Sequence, residues 1–198
     1  SAALVTLEAV KAAKKAGVMV SCDLNFRKKL WTSEKANKVM SGLMEYVDIV
    51  IANEEDAEKV FGIKADNTDI KSGALDDTGY KQVAQKLKER FGLQKVAITL
   101  RESYSASDNG WSALLYDGQE YYKSKKYNIH IVDRVGGGDS FGGGLIYGLL
   151  SGMGNQEALE FAVAASCLKH TIHGDFNMVS IDEVKNLMSG DGSGRVQR

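Results

Sequence analysis

Asp133-Arg134-Val135-Gly136-Gly137-Gly138-Asp139-Ser140-Phe141-Gly142-Gly143-Gly144 is the stretch that decides how this chain of 198 residues is read. It follows an apolar segment expected to be a strand over 129–132. It opens a helix expected over 140–151, which begins with the apolar run Leu145-Ile146-Tyr147-Gly148-Leu149-Leu150. Each glycine in a helix costs roughly 0.5–1 kcal/mol relative to alanine. Glycines at 142–144, on top of those at 136–138, therefore imply that something must approach the backbone closely. Phosphate fits, because unpaired N–H groups at a helix start point outward and the helix dipole favours negative charge there. The competing reading makes Asp139 an N-cap and assigns the glycines to a tight turn and close helix packing. Two familiar phosphate loops are excluded. No Lys-Ser or Lys-Thr follows the glycines, so this is not a Walker A loop. Phe141 stands where a dinucleotide fingerprint starting at Gly136 needs glycine or alanine.

Moving outward, the N-terminal half alternates helical periodicity with short β-branched runs. Helices are expected at 3–16, 34–46 (capped by Ser33), to Phe61, and at about 79–91; strands at 18–22, 47–52 and 96–100. The C-terminal half adds helices at 155–171 and 181–188, and a hairpin whose tight turn is Asp117-Gly118. Continuous apolar strands between helices predict an α/β fold, a mainly parallel sheet flanked by helices. No composition shift marks a linker, so 1–198 reads as one domain. Residues 64–78 read as an irregular polar excursion and 190–198 as a loose tail.

Composition narrows the function classes. Lys+Arg 25 nearly balances Asp+Glu 26, which argues against nucleic acid and against an anionic membrane as partners. The tyrosines and lysines of 121–127 fit the solvent face of an edge hairpin equally well. No apolar run approaches the roughly 18 residues of a membrane span, and the N-terminus has no signal-peptide features. Cys22 and Cys167 are too few for a disulfide framework and read as buried, reduced thiols, so a cytoplasmic location is expected. His130, His170 and His173 lack metal-like spacing and read as structural or surface residues. Proline is absent altogether, which removes slow X-Pro isomerisation from folding.

Residues 133–141 resemble the second signature motif of ribokinase-like (PfkB-type) carbohydrate kinases, Asp-Thr-x-Gly-Ala-Gly-Asp-x-Phe. Asp133, Gly136, Gly138, Asp139 and Phe141 match; Arg134 replaces the usual Thr and Gly137 the usual Ala. The resemblance implies that Asp139 is the general base and that the amides of Gly136, Gly137 and Gly138 form an anion hole. Asn53-Glu54-Glu55-Asp56 resembles the family's Asn-x-x-Glu motif, with Asp56 in place of Glu; by resemblance Asn53 orients Mg²⁺-bound phosphates and Asp56 acts on the metal through water. Without the resemblance, these acids read as a helix N-terminus favoured by its dipole.

Within the family, Asp23-Leu24-Asn25-Phe26-Arg27-Lys28-Lys29-Leu30-Trp31 is similar to the Asp-x-Asn-x-Arg…Leu-Trp stretch of 2-keto-3-deoxygluconate kinases. Asn25 and Arg27 thereby become substrate-binding residues, while Lys28 and Lys29 read as an exposed basic loop. Gly174-Asp175-Phe176-Asn177 resembles the same subgroup's region in which an Asp touches a substrate hydroxyl; by itself Asp175 reads as an ordinary turn acid. Thr99, Arg101 and Ser103 fall where the family lines the nucleotide with a Thr-Leu-Gly turn.

The implied activity is ATP-dependent phosphorylation of a sugar acid, 2-keto-3-deoxygluconate, with Mg²⁺ carried by the nucleotide. A kinase of the fructose or ribose type and a nucleotide-binding module without catalysis stand as alternatives. Family members are longer on the N-terminal side. The chain is therefore expected to be an N-terminally incomplete member without the lid, whose exposed edge and apolar surface call for repacking or a partner such as a homo-oligomer.

Overall fold

The computed structural model describes residues 1–65 and 77–190. The polar excursion at 64–78 falls mostly outside these residues, and the tail beyond 190 falls wholly outside them. Packing divides the chain into two compact units. The first comprises 1–99 and 114–121, the second 100–113 and the rest from Tyr122 onward.

The first unit opens with helix α1 (Ala2–Lys15), which ends at Gly17 in a left-handed conformation. Ala3, Leu7, Val10 and Ala13 form its half-buried stripe, whereas Leu4 stays exposed. Strand β1 (Ser21–Asp23) pairs parallel to β2 (Ile49–Ala52), with Ser21 opposite Ile49. β2 in turn pairs parallel to β3 (Lys95–Ser103), Ile49 opposite Lys95. A buried strand was expected at 18–22; instead Val18 and Met19 are more than half exposed and the strand starts at Ser21. Position explains this, because β1 ends the strand order and pairs with β2 alone. β2, between two neighbours, is buried at every residue.

Asp48 ties the N-terminal ends of these strands together. Its carboxylate accepts from the Val20 amide at 2.9 Å, from Gln94 Nε2 at 2.8 Å, and from Lys14 Nζ. Its carbonyl accepts from the amides of Gln94 and Lys95. Burial pushes this carboxyl's pKa up, but the hydrogen bonds and the Lys14 charge outweigh burial and hold it below the ordinary value. Helices α2 (Ser33–Met44), α3 (Glu54–Phe61) and α4 (Asp77–Phe91) complete the unit. α2 is capped by Thr32, one residue earlier than expected, whose hydroxyl accepts from the Lys35 amide.

In the second unit the end of β3 turns through 104–107 into β4 (Asp108–Tyr116), a hairpin absent from the sequence reading. The Ser105 hydroxyl makes the turn: Oγ accepts from the amides of Ser107 and Asp108 and donates to the Asp108 carboxylate at 2.7 Å. β6 (Tyr127–His130) pairs antiparallel to β4, Trp111 opposite Tyr127. The expected Asp117-Gly118 turn leads from β4 to β5 (Tyr121–Lys123). The strands hydrogen-bond in the order β1-β2-β3-β4-β5 with β6 on β4, a mixed sheet that is parallel through its first three strands. Helices α5 (Gly137–Leu150), α6 (Asn155–Lys169) and α7 (Ile181–Ser189) follow. α7 starts with a complete capping box between Ser180 and Glu183. Among the described residues no helix is long and apolar enough to cross a membrane. Both cysteines are free; Cys167 is buried, while Cys22 is only half-buried.

Candidate functional site

The N-cap of α5 is Gly136, with φ +79°, and not Asp139, which sits in the helix's first turn and caps nothing. Glycine is needed here for a second reason besides its left-handed backbone. A Cβ at Gly136 would stand 2.2 Å from the carbonyl oxygen of Asp175. The other glycines divide by surroundings. Cβ atoms at Gly144 and Gly148 would stand 2.9 Å from the Cα atoms of Ala162 and Ala158, so these two let α6 pack against α5. Around Gly138 and Gly143 nothing lies within 4 Å of a built Cβ. Close packing and open backbone thus both occur in the cluster, at different residues.

Among the described residues the amides of Gly136, Gly138 and Asp139 donate no hydrogen bond, while Gly137 N–H reaches the Arg134 carbonyl at 3.3 Å. Asp139 is exposed and its carboxylate has no hydrogen-bond partner among the described residues. The helix start therefore offers several unspent donors with a carboxylate on the same turn, a combination able to receive an anion and accept a proton beside it.

Asp133 and Asn177 hold this turn from either side. The Asp133 carboxylate accepts from the amides of Val135 at 3.0 Å and Gly174 at 2.8 Å. These hydrogen bonds hold its pKa below the ordinary carboxylate value. Asn177 Nδ2 donates to Ser140 Oγ at 2.6 Å and to the Ala165 carbonyl at 3.3 Å. Arg134, at the position where the motif has Thr, reaches the Ala106 carbonyl and, at 3.5 Å, Asn109 Oδ1.

The structure brings Gly136, Asp139 and Asp175 together as lining of one cavity of about 400 Å³, along with Ser140, Asn177 and Tyr147. Gly137 lies behind the turn, buried, and Gly138 faces outward without lining that cavity. Arg101 is exposed near the end of β3. Ser103 Oγ accepts from Asn109 Nδ2 at 3.0 Å, and neither residue lines the cavity.

In the first unit, Arg27, Asn53 and Asp56 line a separate cavity of about 650 Å³, with Lys28, Lys29 and Lys59 also on its wall. Asn53 caps α3: Oδ1 accepts from the Asp56 amide at 2.7 Å, and Nδ2 has no partner among the described residues. Asp56 is 8 % exposed and accepts from the Phe26 amide at 3.0 Å, which anchors the 23–31 loop. Burial raises its pKa, and the pull of the Phe26 hydrogen bond and the Arg27 charge only partly offsets this. Asn25, at φ +38° the one non-glycine residue with positive φ among those described, points its amide at Asp23 Oδ1 (3.2 Å). Neither Asn25 nor the half-buried Thr99 lines the cavity. Among the described residues no cluster of three or more His, Cys, Asp and Glu side chains could hold a metal ion.

The reading of the sequence missed the bracing roles of Asp133 and Asn177. Both lie in stretches that the motifs single out, but their partners Gly174, Ser140 and Ala165 are distant in the chain.

Residues 2–181 match the sequence pattern of the pfkB family carbohydrate kinases. A 2-dehydro-3-deoxygalactonokinase of Haloferax volcanii is 29% identical over 189 residues, which is 96% of this chain and 53% of that protein. Among solved structures, 2-dehydro-3-deoxygluconokinase of Thermotoga maritima superposes with a TM-score of 0.88 at 50% identity, covering 95% of this chain and 55% of that one. A PfkB family carbohydrate kinase of Listeria grayi gives a TM-score of 0.82 at 31% identity, covering 94% and 55% respectively. The chain spans about half the length of the relatives it matches.

Proposed function

The chain belongs to the pfkB family of carbohydrate kinases, and from that premise we propose that it serves ATP-dependent phosphorylation of a 2-keto-3-deoxy sugar acid, 2-keto-3-deoxygluconate. One observation carries the reading. The unspent amides of Gly136, Gly138 and Asp139 share a helix turn with an exposed carboxylate, and that carboxylate lines a cavity together with Asp175. The similarity to a 2-dehydro-3-deoxygluconokinase at 50% identity supports the substrate class.

Asp139 accepts the proton of a substrate hydroxyl while that oxygen bonds to the γ-phosphorus of ATP and the bond to the β-phosphate oxygen breaks, releasing ADP. Phosphoryl transfer is catalysed mostly by positioning and electrostatics, and a carboxylate placed beside the attacking hydroxyl supplies the proton acceptor. The free amides of Gly136, Gly138 and Asp139 form the anion hole and take the charge on the transferring group. Asp175 accepts from a further hydroxyl. Arg27 offers a planar fork suited to a carboxylate or phosphate, and Asn25 is a second polar contact for the acid sugar. Asn53, through its free Nδ2, joins Thr99, Arg101 and Ser103 as nucleotide contacts. The residues fit Mg²⁺ carried by the nucleotide phosphates, whose charge it neutralises, better than an all-protein cage. Asp56 would act on such an ion through water, with its Oδ1 also holding the Phe26 amide.

Replacing Asp139 by Asn should lower turnover by about 10²–10⁴-fold while MgATP still binds in calorimetry; near-normal turnover would sink the assignment. A substrate panel including fructose and ribose tests the acid preference. Coverage of only about half of the relatives favours one second reading, a nucleotide-binding module without turnover. MgATP binding with no product from any sugar would establish it.

A further inference from the structure

Three consecutive glycines cannot hold their own conformation. They have maximal backbone freedom and no side chains to pack, so the direction of their amides must be imposed by neighbours. The side chain seated against Gly137, in the middle of the three, is the imidazole of His170, at the C-terminal end of α6 and only 5 % exposed. A Cβ on Gly137 would stand 2.6 Å from its Cε1 and 2.8 Å from its Nε2.

The ring is fixed in turn. Nδ1 lies 2.7 Å from the Ser166 carbonyl oxygen, which places the proton on Nδ1 and the lone pair on Nε2. Trp111 packs on the ring with centroids 5.0 Å apart. The same short segment grips the loop at further points. Ser166 Oγ donates to the Gly137 carbonyl at 2.8 Å. The His170 carbonyl accepts from the amides of Val132 at 2.8 Å and Asp133 at 3.2 Å. An apolar side chain would fill this space without desolvating an imidazole; what only an oriented ring adds is a wall locked by Nδ1–H.

We propose that His170 is a positioning residue for the anion loop: its imidazole, seated against Gly137, and its carbonyl, holding Val132 and Asp133, fix the direction of the free amides of Gly136, Gly138 and Asp139. This rests on the reading of that loop as a phosphate site.

The test compares His170→Ala, His170→Asn, Gly137→Ala and the double variant His170→Ala/Gly137→Ala in the full chain. The readouts are the backbone amide resonances of Gly136, Gly138 and Asp139 without ligand, and the affinity for MgADP by calorimetry. Either alanine substitution should shift those resonances and weaken MgADP about tenfold, the equivalent of one well-placed contact. His170→Asn, which keeps a donor for Ser166, should lie between wild type and His170→Ala, and it stands in if the alanine variant does not fold. In the double variant the ring that the new Cβ strikes is gone, so the loss should be no larger than the worse single loss. Losses that multiply, or unshifted resonances in the His170 variants, overturn the proposal. If the wild-type chain fails to bind MgADP, the phosphate reading falls, and the ligand-free resonances still decide whether His170 positions the loop.

Discussion

Gly136 and Gly138 stand two positions apart, and their surroundings are opposite. Gly136 is left-handed and pressed against the Asp175 carbonyl, whereas Gly138 has nothing within 4 Å of a Cβ position. Gly136→Ala should therefore cost about 1–3 kcal/mol in thermal or denaturant unfolding, through strain and displacement of the 174–176 turn. Gly138→Ala should do the reverse. In a helical first turn alanine gains roughly 0.5–1 kcal/mol over glycine, yet its methyl group enters the space a phosphate would use. A more stable protein with weaker MgADP binding is the expected pair of results; unchanged binding would remove Gly138 from the site. The sequence showed that glycines here must serve an approach to the backbone. It could not show which glycine serves which neighbour, because Asp175, Ala162 and His170 arrive from distant positions in the chain.

At the level of elements, α5 carries two functions on one helix. Its N-terminus holds the candidate anion loop, while Gly144 and Gly148 let α6 approach to contact distance. Gly148→Leu should cost about 1–3 kcal/mol by overpacking, measured by urea unfolding, and leave MgADP affinity nearly unchanged; loss of affinity with intact stability would contradict the division. α3 offers a cleaner separation of structure from ligand. Asn53→Ala removes the cap and should cost about 1 kcal/mol. Asn53→Asp keeps the capping oxygen but removes the free Nδ2, so it should retain stability and lose nucleotide affinity. Equal affinity in Asn53→Asp and wild type would leave Asn53 as a cap only. The helices were legible, since apolar spacing and the glycines that stop it, Gly17 and Gly62, are local signals. The β3–β4 hairpin was not, because its residues lack apolar alternation and the turn is made by the hydroxyl of Ser105.

For the molecule as a whole, acid should lower stability in two windows. Burial holds the His170 pKa below its ordinary value of 6.5, and the facing charges of Lys169, Arg134 and Arg101 act in the same direction against the Ser166 hydrogen bond. The unfolded chain then takes up a proton the native state refuses. Stability is complete above the ordinary value and is lost as pH falls below it through the lowered one. Asp48 and Asp133, both held below the ordinary 3.8, contribute stability that is present above that value and lost at lower pH. Melting curves against pH should show the first loss in wild type but not in His170→Asn, and the second diminished in Asp48→Asn; identical profiles for all three would contradict both assignments. The two compact units had no signature in composition, because the division runs within strands, at Thr99–Leu100, Ala113–Leu114 and Tyr121–Tyr122, and not through a linker. By itself the sequence determined the alternation of elements and a strand–glycine–helix motif specific enough to indicate the family. Both are written in spacing along the chain. Only the tertiary structure decided that Asp139 caps nothing, that Asp56 is buried as an anchor for the 23–31 loop, and that His170 backs the anion loop. Those facts depend on which groups come within van der Waals and hydrogen-bond reach, and that distance is set by packing between segments remote in sequence.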